Sequence, residues 1–262
     1  MEFFYKRFDS KDFTLYPIGD FHLGSPQCNE NFIREVLYEI EHNDKAYWVG
    51  MGDLMENAIV GSKSDIYKQI IPPREQMKYL VELLNPIKHK GLFLIAGNHE
   101  QRTVRATGIF PEEYISIELG LPYMGFSCLS VFQLMKSKTP QSFTVYCHHN
   151  YGGGYTKGGK INRAEKLRAI VPTADATFSG HFHTTSRMPA TWYAPGREQI
   201  IKHVGYDYCI GSALEYDNSY AEERAKTPAT AEMVKVTFRG ATNGRQDNRA
   251  QIYEVITSNG GK

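Results

Sequence analysis

Phe178-Ser179-Gly180-His181-Phe182-His183 is the stretch of sequence that best predicts both the fold and the chemistry of this chain. The short apolar run at 176–178 predicts a strand, and Gly180 allows the chain to turn sharply at the carboxyl end of that strand. Alternation along an extended segment places His181 and His183 on the same side. Because imidazole is the commonest protein ligand for metals, the pair predicts a metal site beside the end of this strand.

The same arrangement of an apolar run followed by a potential metal ligand recurs at four earlier places. These places are Asp20 with His22, Asp53, Asn98 with His99, and His148. In an α/β sheet, groups that follow the carboxyl ends of strands meet at one edge, so ligands far apart in sequence lie close in space. Carboxylate, amide and imidazole donors without thiolates suit Mn²⁺, Fe or Zn²⁺. A carboxylate such as Asp53 could bridge two ions that together clamp a phosphoryl group.

Apolar runs alternate with helical patterns in the first half of the chain, which is typical of an α/β domain. Strands are predicted at 14–18, 46–51 and 91–96, and helices at 31–43, 74–84 and 111–119. The second half predicts strands at 128–134, 142–147, 176–178, 199–204, 232–238 and 251–257, with a basic helix at 162–171. The last two strands and the polar loop 240–248 between them predict a hairpin. Since no linker rich in Pro or Ser divides the chain, residues 1–262 are predicted to form one domain, with more antiparallel pairing in the second half.

Composition narrows the classes of protein to consider. The formal net charge of +1 argues against binding nucleic acid through overall charge alone, although it leaves room for a local basic cleft. Cys28, Cys128, Cys147 and Cys209 are widely separated and form no CxxC pair, which favours a reducing compartment. No segment has the apolar length of a signal peptide core or a membrane span. A cytoplasmic protein without a membrane partner is therefore expected.

Five ordered blocks of this sequence resemble the signature of the calcineurin-like metallophosphoesterase superfamily. The blocks are Gly19-Asp20-Phe21-His22, Gly52-Asp53, Gly97-Asn98-His99-Glu100, His148, and Gly180-His181-Phe182-His183. The resemblance implies a four-layer αββα sandwich of two mixed β-sheets flanked by helices. It also implies an enzyme that hydrolyses phosphoester bonds with two divalent metal ions, Mn²⁺ first and Fe or Zn²⁺ as alternatives.

The resemblance further assigns roles to individual residues. It implies that one ion is held by Asp20, His22, Asp53 and His183. A second ion would be held by Asp53, Asn98, His148 and His181. His99 would assist the leaving group without binding a metal, and a hydroxide between the ions would attack phosphorus in line. From the residues alone, the choice between His148 and its neighbour His149 stays open.

The substrate class is predicted from the details of the blocks. Gly19-Asp20-Phe21-His22-Leu23-Gly24 is similar to the DNA-repair nuclease branch, which makes a phosphodiesterase acting on DNA, RNA or nucleotides the first hypothesis. A small-molecule phosphomonoesterase or a protein phosphatase is the alternative. Protein phosphatases share the block at 97–100, but they carry an arginine in the second block that the segment 52–57 lacks. A non-catalytic metal-binding scaffold is a third hypothesis, which the complete ligand set disfavours.

Several residues near the blocks are predicted to contact the substrate or to support the ligands. Arg102, His149 and Arg187 are the predicted substrate contacts, since arginine binds phosphate bidentately. Glu56 and Glu100 are expected either to hydrogen-bond the metal-site histidines or to be solvated charges.

Two further segments have open interpretations. The Gly-rich run 152–161 matches part of a phosphate loop, but Ile161 replaces the required Ser or Thr, so an NTPase is rejected. With Arg163, Lys166 and Arg168 the run predicts either an active-site loop with a cationic edge or a solvated helix face. A group of tyrosines could stack on nucleobases or pack in the fold: Tyr151, Tyr155, Tyr206, Tyr208, Tyr216 and Tyr220. The segment 211–214 is expected either to line the cleft or to turn the chain into its last hairpin.

Overall fold

The computed structural model of the protein describes residues 1–62, 64–136, 140–152, 156–216, 220–223, 225, 228, 230–241 and 249–258. Within these residues the strands are β1 (Glu2–Phe8), β2 (Asp12–Ile18), β3 (Ala46–Gly50), β4 (Gly91–Leu94), β5 (Ser127–Leu134), β6 (Gln141–His148), β7 (Ala176–Ser179), β8 (Thr185–Pro195), β9 (Ile200–Ser212), β10 (Glu232–Arg239) and β11 (Ala250–Thr257). The helices are α1 (Glu30–His42), α2 (Pro73–Leu84), α3 (Glu100–Thr107), α4 (Pro111–Leu119), α5 (Lys157–Glu165) and α6 (Tyr220–Glu223). Helices of the 3₁₀ type cover Asn85–Lys90 and Lys166–Ala169.

The strands form one large, curled, mixed sheet, so the fold is of the mixed α/β class. Its order is β1-β5-β6-β7-β9-β10-β2-β3-β4, with β11 paired to β10 and β8 paired to β9. β2, β3 and β4 are mutually parallel, as are β6, β7 and β9. Antiparallel pairs join β5 to β6, β8 to β9 and β10 to β11, which confirms the predicted shift toward antiparallel pairing. The loop predicted between β10 and β11 lies largely at 242–248, outside the described residues.

Helix α1 forms because its sequence meets both requirements of a surface helix. Its apolar residues recur at helical spacing and are buried against the sheet. These residues are Phe32, Ile33, Val36, Leu37 and Ile40. The side chain of Asn29 accepts a hydrogen bond from the Phe32 N–H at 2.9 Å, which caps the first turn. The helix therefore begins at Glu30, one residue earlier than predicted. Among the described helices, none combines the length and the apolar character needed to cross a membrane.

Two large clusters of apolar side chains stabilise the molecule. The first packs α1, α2 and α4 against the outer face of β2 and β3. The second lies between the two halves of the curled sheet and is rich in aromatic rings. Phe13 on β2 is fully buried there, with its ring centroid 5.3 Å from that of Phe132 on β5 and 5.1 Å from that of Phe238 on β10. This central cluster brings the carboxyl ends of β2, β3 and β4 close to those of β6 and β7.

Several elements differ from the prediction for identifiable reasons. The prediction omitted β1, α3 and β8, which carry charged or proline-interrupted patterns rather than a clear apolar period. Strand β9 continues eight residues beyond the predicted end at 204 and passes through Gly205, where a Cβ would lie 2.5 Å from the Ala174 carbonyl oxygen. The basic helix begins at Lys157 instead of 162 because Thr156 caps it, and it ends as a 3₁₀ turn.

Candidate metal centre

The potential ligands meet because the turns that carry them are hydrogen-bonded to one another. The Asp20 N–H donates to the Gly52 carbonyl at 3.0 Å, and the His22 N–H donates to the Asp53 carbonyl at 3.1 Å, which joins the turns after β2 and β3. The His181 N–H donates to Asp20 Oδ2 at 2.8 Å, which joins the turn after β7 to the turn after β2. Groups from both halves of the sheet therefore share one cleft.

These turns hold several non-glycine residues in the left-handed backbone region. The φ angles are +49° for Asp20, +51° for His22, +50° for Asp53, +71° for His181 and +47° for His183. Such a conformation costs a non-glycine residue roughly 1–3 kcal/mol and is concentrated at functional sites. The concentration of strain on these five residues marks the cleft as functional.

The first cluster of donors consists of Asp20, His22 and His183. The Nε2 atoms of His22 and His183 face each other at 3.1 Å, and Asp20 Oδ1 lies 3.3 Å from His183 Nε2. Asp20 Oδ1 is buried and has no hydrogen-bond partner among the described residues. A buried, unpaired carboxylate oxygen beside two converging imidazoles is the environment that a divalent cation would satisfy.

The second cluster consists of Asp53, His149 and His181, with Asn98 beside them. His149 Nε2 lies 3.1 Å from Asp53 Oδ2 and 3.1 Å from Asn98 Oδ1. His149 Nδ1 lies 2.7 Å from the Met51 carbonyl, to which it donates, so Nε2 is the nitrogen that faces the cluster. The Asn98 side-chain amide lies within hydrogen-bonding distance of His149, His181 and Asp53. These donors also fit a divalent metal ion.

His148 lies away from both clusters, although the resemblance assigned a metal to it. Successive side chains of β6 point to opposite faces of the sheet. Cys147 faces the central apolar cluster, whereas Tyr146 packs with Leu167 on the outer face. His148 shares the outer face with Tyr146, and its Nδ1 accepts the Asn150 N–H at 2.6 Å. The alternation of buried apolar residues at 143, 145 and 147 is the signal in the sequence that points to 149 instead.

His99 lies beside the ligands, in a third group with His22 and Asp53. Its Nδ1 donates to the Glu56 carbonyl at 2.8 Å, and its Nε2 lies 3.9 Å from Asp53 Oδ2. Burial lowers the pKa of His99 to about 4, because the charged form is poorly solvated there. His99 is therefore a neutral imidazole with Nε2 available to the cleft.

The two carboxylates predicted to support the histidines have different roles. Glu56 Oε2 lies 3.3 Å from His22 Nδ1, as expected for a group that orients a ligand. Glu100 instead accepts the backbone N–H groups of Asp53 at 3.1 Å and Met55 at 3.0 Å. Burial raises the pKa of Glu100 to about 7. Glu100 therefore holds the backbone of the turn after β3 and does not orient a histidine ring.

Two other supports of the site have no motif in the sequence. Glu112 on α4 accepts the Gly97 N–H at 2.9 Å, and burial raises the pKa of this carboxyl well above its usual value. Ser212 Oγ and the Ala213 N–H both donate to the Asp20 carbonyl at 3.1 Å. The segment 211–214 therefore holds the turn that carries Asp20. Only tertiary contacts reveal these roles, because neither segment has a motif of its own.

The electrostatics of the clusters follow from their burial and their opposite charges. Although burial disfavours the charged imidazole, the carboxylate of Asp53 raises the pKa of His149 to about 9. Burial also opposes ionisation of Asp53, but His149 holds its pKa well below the usual range. Divalent cations would replace these protons as the charge that balances the buried carboxylates.

The predicted substrate arginines lie in different places. Arg102 Nη1 donates to the Glu56 carbonyl at 3.1 Å and to Ser64 Oγ at 3.0 Å, which places its guanidinium beside His99. Arg187 instead stacks on the ring of Tyr206, 3.8 Å from its centroid. Arg168 of the basic segment pairs with Asp207 at 2.7 Å, so it is a structural cation. Residues 153–155 of the Gly-rich run lie outside the described residues.

Comparison with known families identifies the class of this protein. A model of the calcineurin-like phosphoesterases matches residues 13–185, about two-thirds of the chain. The chain belongs to this family. A comparison with curated proteins found no match. The calcineurin-like match begins in β2, ends at the first residue of β8 and contains every residue of the two donor clusters. Membership indicates a hydrolase of phosphoester bonds, and the His/Asp clusters accord with the divalent metals that the family typically binds.

Proposed function

We propose that this calcineurin-like phosphoesterase hydrolyses phosphodiester bonds with two divalent metal ions and acts on nucleic acid or nucleotides. One observation carries the proposal, namely that two donor clusters from different parts of the chain adjoin each other, since His22 of the first cluster also groups with Asp53 of the second. One ion would be held by Asp20, His22, Asp53 and His183. The other would be held by Asp53, Asn98, His149 and His181, with His149 in place of His148.

The chemistry divides between the ions and the side chains around them. When bound, two such ions supply Lewis acidity and a water of lowered pKa. His99 Nδ1 donates to the Glu56 carbonyl, so Nε2 is the free nitrogen; it would take up the proton released by the attacking water and pass that proton to the leaving group. Arg102 brings a guanidinium beside His99, where a phosphate would need positive charge. In this proposal His99 is a catalytic residue and Arg102 a substrate contact.

The remaining features of the proposal follow from the same residues. Mn²⁺ is the proposed native metal because the donors are carboxylate, amide and imidazole groups, with Fe and Zn²⁺ as alternatives. A cytoplasmic location follows from four separated thiols, which the structure records as free. We also propose that residues 1–262 form a single domain, which the continuous strand order supports, and that the two halves of the curled sheet form the inner layers of the four-layer αββα arrangement.

A phosphomonoesterase or protein phosphatase is the second candidate function. The observation that favours it is the position of Arg102 next to His99, which the block at 97–102 shares with protein phosphatases. A non-catalytic scaffold ranks below both, because the donor clusters are complete.

The first experiment compares Mn²⁺-dependent hydrolysis of bis-p-nitrophenyl phosphate with that of p-nitrophenyl phosphate. Wild type is expected to cleave the diester, and Asp53→Asn to reduce the rate by at least about 100-fold, because Asp53 would contact both ions. Asp9→Asn is the matched control, since Asp9 is 82% exposed and pairs only with Lys136 among the contacts described. A preference for the monoester would favour the second candidate, and no hydrolysis of either ester would contradict the proposed function.

A further inference from the structure

Tyr151 is an exposed aromatic residue placed next to the candidate metal centre. Its side chain is 72% exposed, and within the described part of the chain no other ring packs against it. Most of the other tyrosines that could stack on bases are buried or packed against other groups. Tyr208 is fully buried, Tyr206 lies beneath the Arg187 guanidinium, and Tyr216 is half-buried with a partner. Tyr155 and the side chain of Tyr220 lie outside the described residues.

The backbone on both sides of Tyr151 is fixed to residues of the metal centre. Asn150 adopts a left-handed φ of +75°, and its Oδ1 accepts the Tyr151 N–H at 2.8 Å. Its Nδ2 donates to Ser179 Oγ at 2.9 Å, which attaches this turn to the end of β7. On the other side, the Gly152 carbonyl accepts a hydrogen bond from His181 Nε2. Tyr151 is thus exposed at its ring but held at its backbone between His149 and His181.

A cation lies beside the same segment. Gly152 has a φ of +90°, and a Cβ built on it would lie 2.3 Å from Arg163 Nη1. The guanidinium of Arg163 therefore packs against the backbone next to Tyr151. An exposed ring and an adjacent positive charge are the combination that proteins use to bind single-stranded nucleic acid and nucleotides.

We propose that Tyr151 is the surface on which a purine or pyrimidine base of the substrate stacks, with Arg163 providing positive charge for the nucleotide's anionic groups. The inference rests on the proposed function, since it names the group esterified to the phosphate at the metal centre. Two consecutive peptide units span at most about 7 Å, so the Tyr151 backbone lies within that distance of His149. A tyrosine ring also loses little conformational entropy on contact, because it has only two side-chain torsions.

The test compares two ligands that differ only in the base. Titration calorimetry on the full chain loaded with Mn²⁺ would measure the dissociation constants of adenosine 5′-monophosphate and ribose 5-phosphate. Wild type is expected to bind adenosine 5′-monophosphate about tenfold more tightly, as one stacked base implies. Tyr151→Ala is expected to abolish this preference, and Tyr151→Phe to keep it because the ring remains.

Tyr193→Ala is the matched control, because Tyr193 is 68% exposed and lies eight residues along β8 from Thr185, where the strand begins. It is expected to leave the preference unchanged. Equal binding of the two ligands by wild type, or a preference that survives Tyr151→Ala, would overturn the inference. Failure of the proposed function has a separate signature: the base preference would depend on Tyr151 while bis-p-nitrophenyl phosphate is not hydrolysed.

Discussion

His148 and His149 are chemically identical neighbours that occupy different environments. His149 is 3% exposed and faces Asp53, whereas His148 lies on the outer face of β6 and accepts a backbone N–H from Asn150. Burial lowers the pKa of His148 to about 4, while Asp53 outweighs burial and raises that of His149 to about 9. The pleat of the strand decides which imidazole reaches the cleft.

Alanine substitution at these two positions tests the assignment. His149→Ala is expected to remove a ligand, lower the bound manganese by about one ion per chain and reduce diester hydrolysis by at least about 100-fold. His148→Ala keeps every proposed donor and is expected to retain its full metal content. Elemental analysis of the purified variants measures both. The opposite pattern, with metal lost only from His148→Ala, would restore the assignment made from the resemblance.

At the scale of elements, the turns after the parallel strands position the site through very close backbone contacts. A Cβ at Gly97, after β4, would lie 2.0 Å from the Asp53 nitrogen and 2.6 Å from Glu100 Oε2. A Cβ at Gly52 would lie 2.5 Å from the backbone of Gly97. The two turns thus touch through their glycines, and Glu100 and Glu112 bind the N–H groups that the turns expose.

Gly97→Ala is expected to displace Asp53, because backbone atoms cannot move aside as a flexible side chain can. The free energy of unfolding should fall by roughly 1–3 kcal/mol, and the variant should bind less manganese. Gly158→Ala is the matched control, since nothing lies within 4 Å of a Cβ there and Gly158 is helical. That change should stabilise the protein by about 0.4–1 kcal/mol. Urea unfolding distinguishes the two, and a Gly97→Ala variant as stable as wild type would contradict the role of this contact.

At the scale of the whole molecule, the two halves of the sheet are held together by aromatic packing. Phe13 on β2 contacts Phe8, Phe132 and Phe238, with ring centroids 4.2, 5.3 and 5.1 Å away. The ligands come from both halves, since Asp20 and Asp53 follow β2 and β3, while His149 and His181 follow β6 and β7. The distance between the donor clusters therefore depends on this core.

Phe13→Ala is expected to lower the free energy of unfolding by about 3–5 kcal/mol, as for other buried phenylalanines. If residues 1–262 form one domain, urea unfolding should remain a single transition at a lower midpoint. Phe3→Ala is the control, because Phe3 on β1 is 62% exposed and should change stability by less than about 0.5 kcal/mol. Separate transitions for different parts of the chain would contradict the single domain.

Much of the fold was predictable because local patterns specify it. The apolar spacing of α1 and α2, the proline that begins α4 and the apolar runs of β2, β3 and β5 to β7 placed these elements within two residues of their observed bounds. Strand β1 and the β8–β9 pair were harder to predict. β1 pairs with the distant β5 and β8 pairs with the adjacent β9, and both β1 and β8 bury few side chains, so neither has a clear apolar pattern.

By itself, the sequence determined the elements that have a clear apolar pattern, the family signature and the donor types, because residue type and spacing are local properties of the chain. Only the tertiary structure decided that His149 rather than His148 joins Asp53, that Glu100 holds the backbone of a turn, and that Tyr151 is exposed beside the cleft. Each of these depends on which face of a strand or turn meets a partner from another part of the sheet. The physical reason is that burial, left-handed backbone strain and converging charges arise only when the separate strand ends are brought together.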